Sequence, residues 1–296
     1  MKLELKNIYK SFGEKQVLTG VTFTAEGGKA FGLLGRNGAG KTTSIRILMD
    51  VFPADSGEVL LDGKPMDYRK VGIGYLPEER GLYPKKIILD QLVYFAELKG
   101  MSRKDAVAAV DHWLERLGMT EYRNKRLDTL SKGNQQKIQL VTALAHNPDI
   151  VILDEPFSGL DPVNAMLLKD VVKEQIALGK IVLFSSHQMS YIEEFCDHIA
   201  ILNHGKVALA GDLRQIKHEY PRDRLVIRCD APEKIIAEYG DACKTAENGD
   251  LLLQLASPGE KQAVMAHLVQ TYDVDEVKVF EPSLNDIFVE YAGREA

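Results

Sequence analysis

The feature that most constrains how this 296-residue chain can fold is a glycine-rich segment, Gly35–Thr42, which reads G-R-N-G-A-G-K-T. The short, mostly apolar run before it, Lys29 to Leu34, predicts a buried strand. After it, Ile45, Leu48 and Met49 have helical spacing. In this setting of strand, glycine loop and helix, the segment fits the P-loop pattern. A glycine-rich turn that binds nothing is the alternative that the motif alone leaves open.

The P-loop predicts how a nucleotide would be held. Glycines let the backbone curl so that successive N–H groups point at phosphate oxygens, and the positive end of the helix adds to the attraction. Lys41 is predicted to reach the β- and γ-phosphates of ATP, and the Thr42 hydroxyl to ligate Mg²⁺. The residues predicted here to bind ATP are Gly35, Asn37, Gly38, Ala39, Gly40, Lys41, Thr42 and Thr43.

A second motif, the apolar run Ile150 to Leu153 followed by two acids, predicts a parallel strand that is buried on both faces. Asp154 then stands where P-loop NTPases place the acid that holds Mg²⁺. The adjacent Glu155 is placed to polarise a water molecule for attack on the γ-phosphate. An acidic turn would explain this motif alone, but the two motifs together predict an ATP-hydrolysing domain.

The alternation of strands and helices predicts an α/β fold over residues 1–220, a P-loop NTPase with a RecA-like, mostly parallel sheet. Residues of about 86–146 are predicted to form a helical subdomain within it. The pattern changes near Pro221, and residues 221–296 read β-α-β-β-α-β followed by a last helix. This order predicts a small α+β, ferredoxin-like accessory domain.

Composition restricts the class of partner and compartment. The net charge is -6 and no block of Lys and Arg stands out, so we expect no nucleic-acid partner. The three cysteines are scattered and contain no C-x-x-C, which favours reduced thiols in the cytosol over disulfides or a zinc site. The sequence shows no signal-peptide core and no apolar run that could cross a bilayer. A role at a membrane would therefore require another chain.

With these motifs in order, the chain resembles the ATP-binding subunit of ABC transporters over about residues 1–215. The matching positions are Phe12, the P-loop, Glu78, the signature-like Leu130–Gln135, Asp154, Glu155, Ser158 to Pro162, and His187. The resemblance implies that Phe12 stacks on adenine, although filling a sheet edge is the alternative that the residue itself suggests. It also implies that His187 contacts the γ-phosphate.

The resemblance further implies a dimer and a membrane partner. Two such domains would pair head to tail, with Ser131 and Gly133 of one copy closing the phosphate site of the other, and Ser158 to Pro162 lining the contact. Closure on ATP would drive integral-membrane permease subunits from the cytoplasmic face of the membrane. Residues 88–145 would face that partner, with the loop 77–84 carrying the coupling. Homodimer and heterodimer both remain open.

Two departures from the family pattern leave alternatives. Glu78 stands where the family usually has glutamine; it either ligates Mg²⁺ in the same way or repels the triphosphate and Glu155. Lys132 and Asn134 replace a glycine and a glutamine of the signature. Lys132 is either an exposed residue at the start of a helix or a positive charge that faces the partner's γ-phosphate.

The tail Glu281 to Phe288 resembles that of exporter-type subunits, including those for sodium efflux and drug export. The segments Pro77 to Tyr83 and Ser131 to Gln135 are similar to the sodium-efflux type. The small domain would regulate the ATPase, help it dimerise or sense cargo. A soluble ABC ATPase of translation or DNA repair is the alternative, although such proteins usually carry two ATP domains or a long coiled coil. A non-hydrolysing module is disfavoured by the intact catalytic motifs.

Overall fold

The computed structural model describes residues 1–79, 81–157, 160–186, 188–221, 223–246 and 248–293. Three residues singled out in the sequence, Ser158, Gly159 and His187, lie outside this part of the chain. The chain divides into two compact units. One comprises Met1–Leu213 with the stretch from Phe288 onward, and the other comprises Arg214–Ile287.

The first unit contains two sheets and most of the helices. Its strands are β1 (Lys2–Phe12), β2 (Lys15–Glu26), β3 (Ala30–Gly35), β4 (Ser56–Leu61), β5 (Lys64–Pro65), β6 (Ile73–Leu76), β7 (Ile150–Asp154), β8 (Ile181–Ser185), β9 (His198–Asn203) and β10 (Lys206–Asp212). Its helices are α1 (Lys41–Leu48), α2 (Ile88–Leu98), α3 (Arg103–Arg116), α4 (Lys132–Leu144), α5 (Pro162–Ala177) and α6 (Met189–Phe195).

The larger sheet has the order β10-β9-β3-β8-β7-β6. Its neighbours are parallel except for the hairpin between β9 and β10. Every residue of β3, β7 and β8 is buried, as expected for apolar strands covered on both faces. The P-loop follows β3 and the two acids close β7, so both motifs lie at the carboxyl edge of one parallel sheet. The predicted α/β, P-loop fold is confirmed.

The smaller sheet is antiparallel with the order β2-β1-β4-β5. Leu3, Leu5 and Ile8 of β1 are fully buried and pack into the same core as β3 and α1. The turn between β1 and β2 pairs Phe12 with Lys15. This sheet therefore carries Phe12 at the end of a strand that is anchored in the core.

The helices α2, α3 and α4 fall within the predicted helical region. Helix α3 begins at a capped residue, because the Ser102 hydroxyl oxygen accepts a hydrogen bond from the Asp105 backbone N–H at 3.2 Å. Two helices, α6 and the seven-residue α7 (Leu213–Glu219), are not predicted by the sequence pattern. Both span only two turns, too short for a hydrophobic period to stand out. Among the described residues, no helix is long and apolar enough to cross a membrane.

The second unit has the predicted element order. Its elements are β11 (Arg224–Arg228), α8 (Pro232–Tyr239), β12 (Cys243–Thr245), β13 (Leu251–Gln254), α9 (Lys261–Thr271) and β14 (Glu276–Val279). The last helix, α10 (Leu284–Gly293), begins in this unit and ends in the stretch assigned to the first. The antiparallel sheet has the order β12-β13-β11-β14, in which the first and third strands lie at the centre. This is the ferredoxin-like arrangement. Ahead of α10, Ser283 and Asp286 exchange hydrogen bonds as a capping box.

Candidate functional site

The P-loop leaves β3 and enters α1 through backbone conformations that favour glycine. Gly38 has φ 81° and Gly40 has φ 109°, both in the region that L side chains rarely adopt. A Cβ on Gly40 would also lie 2.5 Å from Cδ2 of Leu18. The first turn of α1 closes on the same glycine, because Ser44 N–H donates to its carbonyl oxygen at 2.9 Å. The spacing of the glycines is thus required by both conformation and packing.

Lys41 is the charged side chain of the P-loop that the predicted acids act on. Its Nζ donates to the carbonyl oxygen of Gly35 at 2.6 Å, so the side chain folds back over the loop. Burial lowers the pKa of Lys41, and the charges of Glu155, Asp154 and Glu78 oppose that shift. The three acids predicted from the sequence are therefore within electrostatic reach of the P-loop lysine.

Asp154 is held at the end of β7 by a contact that the sequence analysis did not predict. The Tyr75 hydroxyl, on neighbouring β6, donates a hydrogen bond to Asp154 Oδ2 at 3.2 Å. The carboxylate is 7% exposed, and burial raises the pKa of Asp154 above its usual range. Burial together with the Asp154 charge raises the pKa of the Tyr75 phenol. A tyrosine in the sequence I-G-Y-L gives no sign of this contact, which depends on strand register.

Glu155 adopts φ 49°, an uncommon left-handed conformation for a side chain of this kind. Its backbone N–H donates to Ser185 O at 2.8 Å, and the Ser186 hydroxyl donates to Glu155 Oε2 at 2.8 Å. Glu155 is 7% exposed. Backbone strain that is held by neighbouring contacts is common at functional sites, and here the hydrogen bonds with Ser185 and Ser186 hold Glu155 in this conformation.

Glu78 and Phe12 are both exposed members of the predicted set. Glu78 lies in the loop after β6. Phe12 is 50% exposed and contacts Phe52 edge to face at 5.5 Å. Lys10 Nζ lies 5.6 Å and 5.5 Å from the centroids of these two rings. The ring is therefore packed against Phe52 on one side, while half of its surface is open to solvent.

The signature-like segment opens α4. The Ser131 hydroxyl oxygen accepts a hydrogen bond from Asn134 N–H at 3.4 Å, and Lys132 is exposed. Gly133 lies close to the start of α5, where a Cβ would come 3.2 Å from Asn164 Nδ2. Asp161 caps α5 by accepting from the backbone of Val163 and Asn164, each at 3.0 Å. The signature and the described end of the predicted dimer-contact loop thus form one surface.

The donor set near Lys41 suits Mg²⁺ better than a softer or larger metal ion. Within the described ranges, no three His, Cys, Asp or Glu side chains form a group that could cage a metal. Mg²⁺ is usually held by one or two carboxylates, with water and substrate phosphates completing the shell. The buried Asp154 carboxylate, the Thr42 hydroxyl at the start of α1 and the loop residue Glu78 supply that kind of set.

Comparisons with known proteins identify the family of this chain. Residues 18–158 match the family described as ABC transporter, and residues 211–292 match the DrrA1-3-like ATP-binding protein C-terminal domain. YhaQ, an ABC transporter ATP-binding protein of Bacillus subtilis, is 42% identical over 98% of both chains. Nod factor export ATP-binding protein I of Burkholderia lata is 31% identical over 87% of both chains.

Among solved structures, an ATP-binding subunit of an ABC transporter superposes with a TM-score of 0.68 at 29% identity. The match covers 74% of this chain and 93% of that one. The relative from Bacillus subtilis extends the likeness to nearly the full length of the chain. The chain therefore belongs to the ATP-binding proteins of ABC transporters, and its ABC ATPase domain binds ATP.

Proposed function

We propose that this chain is the ATP-hydrolysing subunit of a membrane exporter, which dimerises on ATP and drives separate transmembrane subunits. The observation that carries the proposal is that one edge of the parallel sheet holds both the P-loop, which follows β3, and Asp154 and Glu155 at the end of β7, with Glu78 in the loop after β6. Phosphoryl transfer requires positioning and charge stabilisation more than covalent chemistry, and this cluster offers both.

In this proposal, the P-loop binds the triphosphate through its backbone N–H groups and Lys41, while Phe12 stacks on adenine. Glu155 accepts a proton from the attacking water, with its carboxylate held by Ser186. Thr42, Asp154 and Glu78 are the proposed ligands of Mg²⁺, which would neutralise charge on the phosphates. By resemblance to the family, His187 contacts the γ-phosphate.

A second ATP-binding subunit completes the site in this proposal. Ser131 is exposed at the N-terminus of α4, where its hydroxyl and the N–H groups of the first turn can meet phosphate oxygens. The exposed Lys132 stands beside it, consistent with either role predicted for it. Gly133 and Asp161 are near one another, so the signature and the dimer-contact loop would engage the second subunit together.

The proposed docking surface for the membrane partner is a groove of about 390 Å³ between the parallel sheet and the helical region. Aromatic and aliphatic side chains line it, including Tyr68, Phe95 and Leu98. Leu98 is 65% exposed and Tyr94, on the same helix, is 50% exposed. Apolar grooves of this kind accept an amphipathic helix, so the proposed occupant is a short helical segment of the permease.

The groove also adjoins the candidate site. Tyr75 lines the groove and donates its hydroxyl hydrogen to Asp154. A segment docked in the groove would therefore contact a side chain that contacts the proposed Mg²⁺ ligand. This arrangement supports coupling between partner docking and hydrolysis, and it favours a transport role over a soluble ABC ATPase of translation or DNA repair. The export direction is supported by the name of the Nod factor export relative.

Affinity capture from detergent-solubilised membranes tests the proposal. We expect the wild-type chain to recover a protein with several membrane-spanning segments. Leu98→Glu should abolish that recovery, whereas Leu178→Glu, at a 69% exposed leucine at the end of α5, should retain it. Melting curves of both variants control for folding. Recovery of ribosomal or DNA-repair proteins in place of a membrane protein would contradict the transport role.

A further inference from the structure

The loop that carries Glu78 is fastened at both ends by buried glutamines. At its start, Gln139 of α4 contacts the backbone around Glu78, and at its end Gln91 of α2 contacts the backbone near Tyr83. Gln139 is 5% exposed and Gln91 is 3% exposed. Buried amides are costly unless hydrogen-bonded, so both side chains depend on this loop for their partners.

The contacts of Gln139 bracket Glu78. Its Nε2 donates to Pro77 O at 3.2 Å and to Glu79 O at 3.0 Å. The two carbonyls belong to the residues immediately before and after Glu78. One amide nitrogen with two hydrogens can satisfy both carbonyls, which fixes the backbone on each side of the exposed carboxylate. The backbone at Glu78 is therefore held in place although the side chain is exposed.

The same glutamine lies on the helix that begins with the signature. Ser131 caps α4, and Gln139 follows eight residues later, about 12 Å along a rigid helix at 1.5 Å per residue. In the proposed dimer, the start of α4 faces the nucleotide of the second subunit, whereas Glu78 faces the nucleotide of its own chain. The hydrogen bonds from Gln139 to Pro77 O and Glu79 O therefore link α4 to the loop that carries Glu78.

We propose that Gln139 is a positioning residue that sets Glu78 for metal binding and makes its placement depend on α4. The inference rests on the proposed function, because it assigns Glu78 to the metal bound with ATP. When the signature end of α4 engages a second subunit, the amide of Gln139 keeps the Glu78 loop in a fixed position relative to that helix. Each nucleotide site thereby senses the engagement of the other.

The test measures Mn²⁺ binding to the ATP complex of the full chain, using the electron paramagnetic resonance signal of free Mn²⁺. A Glu155→Gln background prevents turnover. Gln139→Met keeps the length of the side chain and removes both donated hydrogen bonds, and we expect about tenfold weaker Mn²⁺ binding, as for other residues that orient metal ligands. ATP binding without metal should be unchanged. Gln175→Met, at a buried glutamine of α5 that contacts Lys180 and not this loop, is the matched control and should retain wild-type Mn²⁺ affinity.

A second pair of variants shows whether Gln139 acts through Glu78. In a Glu78→Ala background, Gln139→Met should weaken Mn²⁺ binding no further, since the group it positions is gone. Gln139→Asn shortens the side chain by one methylene, so its amide does not reach the two carbonyls. It should weaken Mn²⁺ binding as Gln139→Met does, without introducing an apolar side chain. Unchanged Mn²⁺ affinity in folded Gln139 variants, or an equal loss with and without Glu78, would overturn the inference. Failure of the wild-type chain to bind Mn²⁺ with ATP would instead contradict the proposed function.

Discussion

The Ser186 hydroxyl donates a hydrogen bond to Oε2 of Glu155 at 2.8 Å, and both side chains are buried. Ser186 follows β8 and Glu155 follows β7, so the contact joins the ends of two adjacent parallel strands. The hydroxyl oxygen of Ser186 also accepts a hydrogen bond from the Gln188 backbone N–H at 3.1 Å. The proposed base is thus oriented by the residue that follows β8.

Ser186→Ala should lower the rate of ATP hydrolysis by about tenfold, because a hydrogen bond to a charged group contributes roughly 1.5–3 kcal/mol. The affinity for ATP should change little, since Ser186 contacts the base rather than the P-loop. Steady-state hydrolysis and equilibrium ATP binding, measured on the same preparation, separate the two effects. A wild-type rate in a folded Ser186→Ala variant would show that Glu155 needs no such support.

Tyr75→Phe should raise the Mg²⁺ concentration needed for half-maximal hydrolysis, by about tenfold, because Asp154 loses the donor that orients it. The ring remains, so the packing of β6 is kept. Tyr122→Phe removes a hydroxyl from the helical region and serves as the control. If both variants require the same Mg²⁺ concentration as the wild type, the Tyr75 contact has no role in metal binding.

Gly40→Ala should remove ATP binding and destabilise the chain, because a methyl group would meet Leu18 in addition to the strained φ. Gly63→Ala is the matched control, since Gly63 has φ 76° and nothing lies within 4 Å of its added Cβ. It should lower the free energy of unfolding by about 1–2 kcal/mol and leave ATP affinity unchanged. Urea unfolding and nucleotide titration measure the two quantities. Equal stability of the two variants would contradict the packing argument.

His146 should make the stability of the chain fall in mild acid. Its Nε2 lies 3.1 Å from Ile73 O, and burial lowers the pKa of His146 below 6.5 in the folded state. The unfolded chain then binds a proton at higher pH than the folded chain. The contribution of the neutral His146 to the free energy of unfolding is therefore lost as the pH falls through about 6.5 toward the folded pKa.

His146→Gln should reduce this pH dependence, whereas His112→Gln, at an exposed position of α3, should retain it. Urea unfolding at several pH values between 7.5 and 5.5 measures the difference. An identical pH dependence in the wild type and His146→Gln would show that another group is responsible.

The sequence predicted the meeting of Lys41 with Asp154 and Glu155 because parallel strands bring their carboxyl ends to one edge. Two short motifs, each at the end of an apolar run, were enough for that. The ferredoxin-like order of the second unit was predicted for a similar reason, because apolar residues repeat with a different period in strands and in helices. Both predictions depend on local pattern together with a topological rule.

The supporting contacts could not be predicted in this way. The hydrogen bond from Tyr75 to Asp154 depends on the register that pairs Tyr75 with Ile152, which alternation of apolar residues does not specify. Gln139 reaches a loop about 60 residues earlier in the chain, and nothing in its own segment indicates that partner. Such contacts follow from how the helical region packs on the sheet, and that packing is not encoded in any short motif.

The central claim is that ATP closes a dimer of this chain or of this chain with a relative. Light scattering of purified Glu155→Gln, with and without ATP and Mg²⁺, tests it most directly. We expect a mass of one chain without ATP and of two chains with it, and Lys41→Ala or Ser131→Arg in the same background should prevent the change. If the chain binds ATP but keeps the mass of a single chain, it does not pair with itself. If it also keeps that mass after the related subunit recovered with the permease is added, the account is contradicted.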